Sequence, residues 1–536
     1  MDVSRLSQST NSNRSRNTRN FEMKNRDDNN QGRDRWPRMG SAKELTKQGS
    51  ISSVRQESGT VSTQGHQQTL KRLCKKAWKE FDYFVGVDDT AFVTVKVPVA
   101  DGFREDTYPI ESSEFQRHLR QFGCRNQIEI WSDVKPAITR LIDETLSLET
   151  EKLPVVTRAG NDTDGSIWID LGNDKGQYVH VTKDGWEIKS KSAVKFRRHR
   201  GQKPLPLPQR GGSIQSLRPF CNVSDEEWPV LLGYLVFALT RIGPYPVLDI
   251  FGQQGSAKST LAKIVKSLVD PSETDLRSGF HDDQALFIAA NKSHVMCFDN
   301  VSTLSDQHSD ALCLMSTGGS RYDRKLYTNS EEVCLKAHNP VVFTGIEPLV
   351  AQGDLVSRCL FLHLPSISDM DRRSEREFWA EWEKVRPEVL GVLLDALVLG
   401  LNGPELDEKE RMADFETFVT AAEPALGLEP GEFRRAYDQN RNGANSVVLD
   451  NSPLTEPIRE LAKQGVWKGS PTDLLKTLNE LAPDDVKGRP DWPKTVSVLG
   501  KKLTRLVPNL RAQGIQVKDG KTSGGRSWTI SETEEA

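Results

Sequence analysis

Gly252-Gln253-Gln254-Gly255-Ser256-Ala257-Lys258-Ser259-Thr260 decides the reading of this chain. It follows a short apolar run, Val247 to Phe251, and precedes Leu261, Ile264, Val265 and Leu268 at i, i+3, i+4 and i+7. A buried parallel strand, a glycine loop, Lys-Ser and an amphipathic helix form the context in which a phosphate-binding loop works. Glycines let backbone N–H groups close around phosphates, and a lysine neutralises the β/γ oxygens. A hydroxyl can ligate Mg²⁺, and the helix N-terminus adds a favourable dipole. The stretch predicts an α/β core with a parallel sheet that binds a nucleoside triphosphate, ATP with Mg²⁺, through Gly252 to Thr260. One position departs from GxxxxGK[ST]: Ala257 stands where glycine precedes the lysine. Should that position take a positive φ, alanine costs roughly 1 kcal/mol.

Working outward, a metal-binding carboxylate is expected at the end of a second buried strand. Val295-Met296-Cys297-Phe298-Asp299-Asn300 fits, 41 residues after Lys258, with one crossover helix between them over Asp282 to Ala290. Asp299 would hold Mg²⁺ through water, alongside Ser259. Many such ATPases place a glutamate next, as the base that orients the attacking water. Here Asn300 stands there, which leaves the base open, with Asp282 and Asp283 as candidates. Val341 to Gly345 reads as a third apolar strand, whose Thr344 can sense the γ-phosphate. Arg358, within Leu355 to Leu364, can reach the γ-phosphate of a neighbouring subunit or serve only as a surface ion pair.

These motifs, taken in order, resemble the compact ATPase of superfamily 3 helicases. They are Lys258-Ser259, Asp299-Asn300, the basic segment Thr317 to Tyr327 and the Thr344 strand. The closest resemblance is to the helicase modules of phage and plasmid primase-helicases. The stretch from about Val155 to Ile530 also resembles a family of bacterial and phage-encoded ATP-binding proteins. Phe298-Asp299-Asn300, Thr317-Gly318-Gly319 and Arg411-Met412-Ala413-Asp414-Phe415 carry that likeness. The resemblance implies an AAA+-like core in a homo-oligomer, a hexameric ring, with a hairpin between the second and third motifs facing single-stranded DNA in the pore. Arg321, Arg324 and Lys325 would then meet the phosphates, with Tyr322 and Tyr327 for stacking. Asn300 and Gly345 depart from that pattern.

The flanks fill out the rest of the 536 residues, which suffice for about three domains. Residues 1–65 are polar, with 12 Lys/Arg against 7 Asp/Glu, and are expected to form a disordered basic tail. Residues 69–220 read as a mixed α+β domain: helices over Thr69 to Phe84 and Lys135 to Leu148, a strand over Ala91 to Val99, and short strands at Val155 to Arg158, Ser166 to Leu171, Tyr178 to Thr182 and Trp186 to Lys189. A basic run, Lys189 to Lys203, is either a solvated strand edge or a nucleic-acid contact, and Pro204 to Pro208 reads as a linker. Residues 221–365 hold the ATPase, opened by a helix that starts at Ser224-Asp225-Glu226-Glu227, a capping-box spacing. Residues 366–438 form a helical lid, and Gln439 to Asn451 a hinge. Residues 454–536 resemble a winged helix, with helices over Trp467 to Leu478 and Lys494 to Val507 and strands at Gly514 to Lys518 and Ser527 to Ile530. A basic helix with a basic wing suits duplex DNA.

The net charge of −3 gives no whole-chain basicity, so any DNA contact must be a local patch. The seven cysteines lack CxxC spacing and read as reduced core residues. The longest apolar stretch, Val230 to Leu239, is about half a bilayer span, so no membrane association is expected and a cytoplasmic location is. The favoured reading is an ATP-driven DNA helicase or translocase in replication of a mobile or phage-like element. There is no primase signature, so priming would fall to a partner. The alternatives are an ATP-switched DNA-binding or regulatory protein with weak or no hydrolysis, and an ATPase scaffold that acts on protein partners.

Overall fold

The computed structural model describes residues 63–99, 102–128, 133–280, 282–302, 304–324, 332–349, 353–368, 370–403, 412–489, 492–522 and 525–532. The expected tail therefore lies almost wholly outside the described residues. Val61–Ala536 forms one compact unit.

At its centre is a four-stranded parallel sheet. Its strands are β1 (Val247–Phe251), β2 (Met296–Phe298), β3 (Val341–Gly345) and β4 (Cys359–His363), in spatial order β2-β3-β1-β4. Val247 of β1 registers with Val341 on one side and Cys359 on the other. The runs are apolar because both faces are covered, and the pleat sends alternate side chains to different cores. Leu248, Ile250, Val342, Leu360 and Leu362 enter one core with helix α1 (Trp228–Ala238) and helix α2 (Lys258–Val269). Val247, Phe298, Val341, Phe343 and Phe361 enter the other, with helices α3 (Asp283–Ala290) and α4 (Asp306–Thr317).

Helix α1 is apolar all round because every one of its residues is buried. Helix α5 (Glu375–Leu401) runs over it. Gly391 of α5 is a close-approach glycine: a Cβ there would lie 1.7 Å from the Gln209 carbonyl oxygen. The segment Pro204 to Pro208 is accordingly no loose linker. Leu205 is buried and donates its N–H to the Leu171 carbonyl, and Gln209 donates to the Pro387 carbonyl at 3.0 Å.

Residues 69–220 divide among three cores, the smallest made by Trp168, Tyr178, Val194 and Phe196. Leu73, Phe115 and Leu141 close one of their own, whereas Ile167, Val179 and Trp186 join the ATPase core against α5. The first helix runs Thr63–Glu80 and stops before the strand Asp82–Val85, which is drawn out of the expected helix by pairing with Ala91–Val99. Two members of the basic run are paired internally, while Lys191, Arg200 and Lys203 remain exposed. Lys195 pairs with Asp82 at 2.7 Å, and Arg198 with Asp170 at 2.6 Å. Those carboxylates lie far off in sequence, which is why spacing did not show them.

Two further expectations need correction. Gln439 to Asn451 is helical, the second half of Glu432–Asn451, because Asn440 bonds both backbone groups of Phe361 on the outer edge of β4 (2.9 and 2.6 Å). Trp467–Gly469 is a strand paired with Trp528–Ile530, and the helix begins only at Pro471, capped by Ser470. The C-terminal elements run helix Thr455–Lys463, strand, helix Pro471–Leu481, helix Val496–Ala512, then the antiparallel pair Ile515–Thr522 and Gly525–Glu532. Their apolar residues merge with the second core of the sheet. Among the described residues no helix is long and apolar enough to cross a membrane.

Candidate nucleotide site

The loop leaves the C-terminal end of β1, where glycine geometry begins at once. Gly252 has φ 147°, and a Cβ there would lie 2.4 Å from the Leu364 carbonyl oxygen. Gly255 has φ 83°. Ala257 is the N-cap of α2 at φ 66°, ψ 26°, in the left-handed region. The loop therefore keeps the glycine-type backbone despite the alanine, at a cost of about 1–2 kcal/mol. Ser256 is fully buried and donates to the Gln253 carbonyl, fixing the turn. Lys258 Nζ donates to the carbonyls of Gly252 (2.8 Å) and Gln253 (2.7 Å). Burial lowers its pKa and the Asp299 carboxylate opposes that shift. The ammonium is thus held over the loop by weak neutral acceptors that an anion can replace.

Three predicted residues meet at one carboxylate oxygen. Asp299 Oδ1 accepts from Ser259 Oγ at 2.7 Å and from Thr344 Oγ1 at 2.5 Å. Thr344 Oγ1 in turn accepts the Asn300 N–H at 3.0 Å. The strand order explains the meeting, since β3 lies between β1 and β2 and carries Thr344 to the sheet end at which Ser259 and Asp299 stand. Asn300 sits at φ 53°, so the chain turns sharply just after the carboxylate. Gly345 departs from the helicase pattern for a steric reason: a Cβ there would lie 2.9 Å from the Glu347 carbonyl oxygen and 3.2 Å from that of Val301.

The donor set fits a triphosphate with Mg²⁺. It offers a loop of positive-φ backbone at a helix N-terminus, a lysine on it, and a hydroxyl and a carboxylate already touching. Among the described residues no cluster of three metal-ligating side chains exists, so the remaining ligands to Mg²⁺ would be phosphate and water.

Each candidate base makes a local hydrogen bond through one carboxylate oxygen. Asp282 caps α3 through the Ala285 N–H at 2.6 Å, and Asp283 accepts from Gln307 at 2.8 Å. Arg358 does not join the site of its own chain. Its carbonyl accepts the Val247 N–H, so it stands at the opposite end of β1 and β4, about 15 Å away over five residues. Its guanidinium is 3.4 Å from Asp354. Arg321 and Arg324 lie in a strand, Ser320–Arg324, that pairs antiparallel with Glu332–Lys336 as a hairpin, and Lys325 lies outside the described residues.

Sequence reading missed three contributors. Arg372 reaches the loop from beyond β4: a Cβ on Gly255 would lie 3.0 Å from its Nη2. Asn222 clamps the loop by donating to the carbonyls of Ser256 (3.2 Å) and Pro365 (2.6 Å). Glu227 accepts the His363 N–H at the end of β4, and burial pushes its carboxyl up to about 7. All three act across more than thirty residues of sequence, beyond the reach of motif spacing.

Of the described cysteines, Cys74, Cys221, Cys297 and Cys359 are buried thiols; Cys124 is exposed, against expectation.

Residues 214–442 match the family model described as the actinomycete integrative conjugative element replication protein, and residues 454–536 match the C-terminal domain of that protein, RepA. The two matched regions are those of this replication-protein family, in order. The chain is also similar to apo structures of the NrS-1 C-terminal region. One shares 14% identity at a TM-score of 0.37, covering 86% of this chain and 98% of that one; another shares 15% at 0.36, again covering 86% and 98%. No curated protein matches.

Proposed function

We propose that this chain, whose two matched regions are those of a mobile-element replication protein, is an ATP-driven DNA helicase or translocase that replicates such an element. The observation that carries the reading is the junction of Ser259, Asp299 and Thr344 beneath a positive-φ loop bearing Lys258. Mg²⁺-bound ATP would supply the phosphoanhydride whose cleavage drives the motor. Lys258 and the loop N–H groups bind the phosphates, Ser259 and Asp299 hold the metal, and Thr344 fixes the Asp299 carboxylate. Arg372 adds a second cation beside the loop. Arg358, at the far end of the sheet and 3.4 Å from Asp354, would serve the site of a neighbouring subunit in a ring.

We extend the proposal to the DNA surfaces. Arg321 and Arg324, within the strand Ser320–Arg324, and Lys325 would meet single-stranded DNA in the pore. The C-terminal elements have the order of a winged helix. Lys501 is exposed on its helix for duplex contact, while Arg505 pairs with Asp306 at 2.9 Å and Arg526 with Asp519 at 2.7 Å. If priming occurs, a separate partner would supply it.

One observation favours a second reading, an ATP-switched DNA-binding protein with slow or no turnover. Asn300 replaces the second carboxylate, and Asp282 and Asp283 are held by structural bonds. Strand displacement on a forked duplex separates the two. The motor reading expects ATP-dependent release of the displaced strand, lost in Lys258→Ala. ATP-dependent binding without release in the wild type would leave the switch standing.

A further inference from the structure

The first helix, Thr63–Glu80, lies outside the nucleotide site and the functional reading above gives it no task. It carries Lys71, Arg72, Lys75, Lys76 and Lys79, all exposed, and no Asp or Glu from Thr63 to Lys79. Its other face, Leu70, Leu73, Cys74 and Ala77, is buried at 6%, 0%, 2% and 0% exposure. At ~100° per residue the five cations fall within an arc of about 140°, opposite the buried set, and they extend about 12 Å along the axis. No described carboxylate pairs with any of the five. This differs from Lys195 and Arg198 nearby, which are spent on Asp82 and Asp170. On the helix Lys135–Leu146 the solvated face mixes signs, and Arg140 pairs with Glu144. This one does not.

We infer that this helix face is a sequence-independent binding surface for the phosphate backbone of duplex DNA, separate from the hairpin and the C-terminal elements. Three ligand chemistries could match a basic stripe, and the packing chooses among them. A lipid surface needs the apolar face of the helix, and that face is already committed to Phe115, Leu119, Ile138 and Leu141. Single strands are held by exposed aromatic platforms, but the helix's one aromatic, Trp78, is half-buried and stacks on Tyr83 at 4.5 Å. What remains is a rigid row of cations against a polyanion bearing one charge per ~1.7 Å of duplex axis. Four of the five are lysines, compact point charges suited to phosphate oxygens, so the contact is assigned to positioning the chain on DNA rather than to choosing sequence.

The test is the salt dependence of binding by the full chain, without nucleotide, to a 40-base-pair duplex. Wild type is compared with Lys71→Gln/Lys75→Gln/Lys79→Gln and with a scattered control of equal charge change, Lys183→Gln/Lys292→Gln/Lys384→Gln. Each neutralised phosphate contact lowers the slope of log affinity against log salt by about 0.9. The stripe variant should therefore flatten the slope by about 2.7, so that the affinity lost between 50 and 200 mM salt shrinks by about 40-fold. The scattered control should keep the wild-type slope, all three proteins should melt together, and single strands of equal length should show no such difference. An unchanged slope, an equal change in the scattered control, or a loss confined to anionic phosphatidylserine vesicles overturns the assignment. Lys258→Ala should retain the wild-type slope, so the result stands or falls apart from the ATPase.

Discussion

Thr344→Val replaces one hydroxyl with a methyl at a position that is 1% exposed. The hydroxyl donates to Asp299 at 2.5 Å and accepts the Asn300 N–H at 3.0 Å. A hydrogen bond to a charged group contributes about 1.5–3 kcal/mol, whereas the N–H of the exposed Asn300 can turn to water and adds less. The two losses share one atom and do not simply add, and Ser259 still holds Asp299 at 2.7 Å. A destabilisation of about 1–3 kcal/mol follows for the nucleotide-free protein. Urea unfolding of wild type, Thr344→Val and Thr344→Ser reads it directly. Serine keeps the hydroxyl and should lose no more than about 1.5 kcal/mol, the cost of one buried methyl. ATP turnover should fall in the valine variant and persist in the serine one. A valine variant within about 0.5 kcal/mol of wild type would refute the argument, as would a serine variant equally damaged.

Other expectations test separate parts of the account. Ala257→Gly should be neutral or stabilising by up to about 1 kcal/mol, since it relieves left-handed strain but adds unfolded-state entropy, whereas Ala257→Val should lose at least about 1 kcal/mol more than alanine; equal melting of all three would mean the loop is not held at φ 66°. The Glu227 carboxyl, at about 7 folded against an ordinary 4.5, binds its proton more tightly in the folded state, so its contribution to stability falls as pH rises from about 4.5 through 7. Glu227→Gln keeps an acceptor for His363 and should gain about 1–2 kcal/mol on wild type between pH 5 and pH 8, allowing for partial exposure; parallel pH curves would contradict this. Arg358→Ala should bind ATP normally but not turn it over, and mixing it with Lys258→Ala should restore part of the activity through sites that combine one intact loop with one intact arginine. No recovery on mixing would place Arg358 outside the neighbouring site.

Much of the core could be read from the sequence because its signals are local. Val247–Phe251 and Val341–Gly345 are short apolar runs bounded by proline or glycine, and the structure gives both the expected ends. Ser259, Asp299 and Thr344 were each identifiable because a P-loop fold puts strand ends in a fixed order. The failures were tertiary. Trp467–Gly469 has a helical neighbour in sequence, yet its partner is Trp528–Ile530. The polar residues after Gln439 suggested a hinge, yet Asn440 closes the edge of β4. Arg372 and Asn222 reach the loop from opposite sides of the ATPase segment, and neither sits at a spacing that marks it.

The most direct test of the central claim is ATP hydrolysis measured with and without single-stranded DNA, in wild type and in Lys258→Ala. The account predicts turnover that DNA strongly stimulates and that the substitution abolishes, because Lys258 is the cation poised over the phosphate loop. ATP binding in the wild type with no DNA-stimulated turnover would contradict the motor and leave the nucleotide switch as the function of this site.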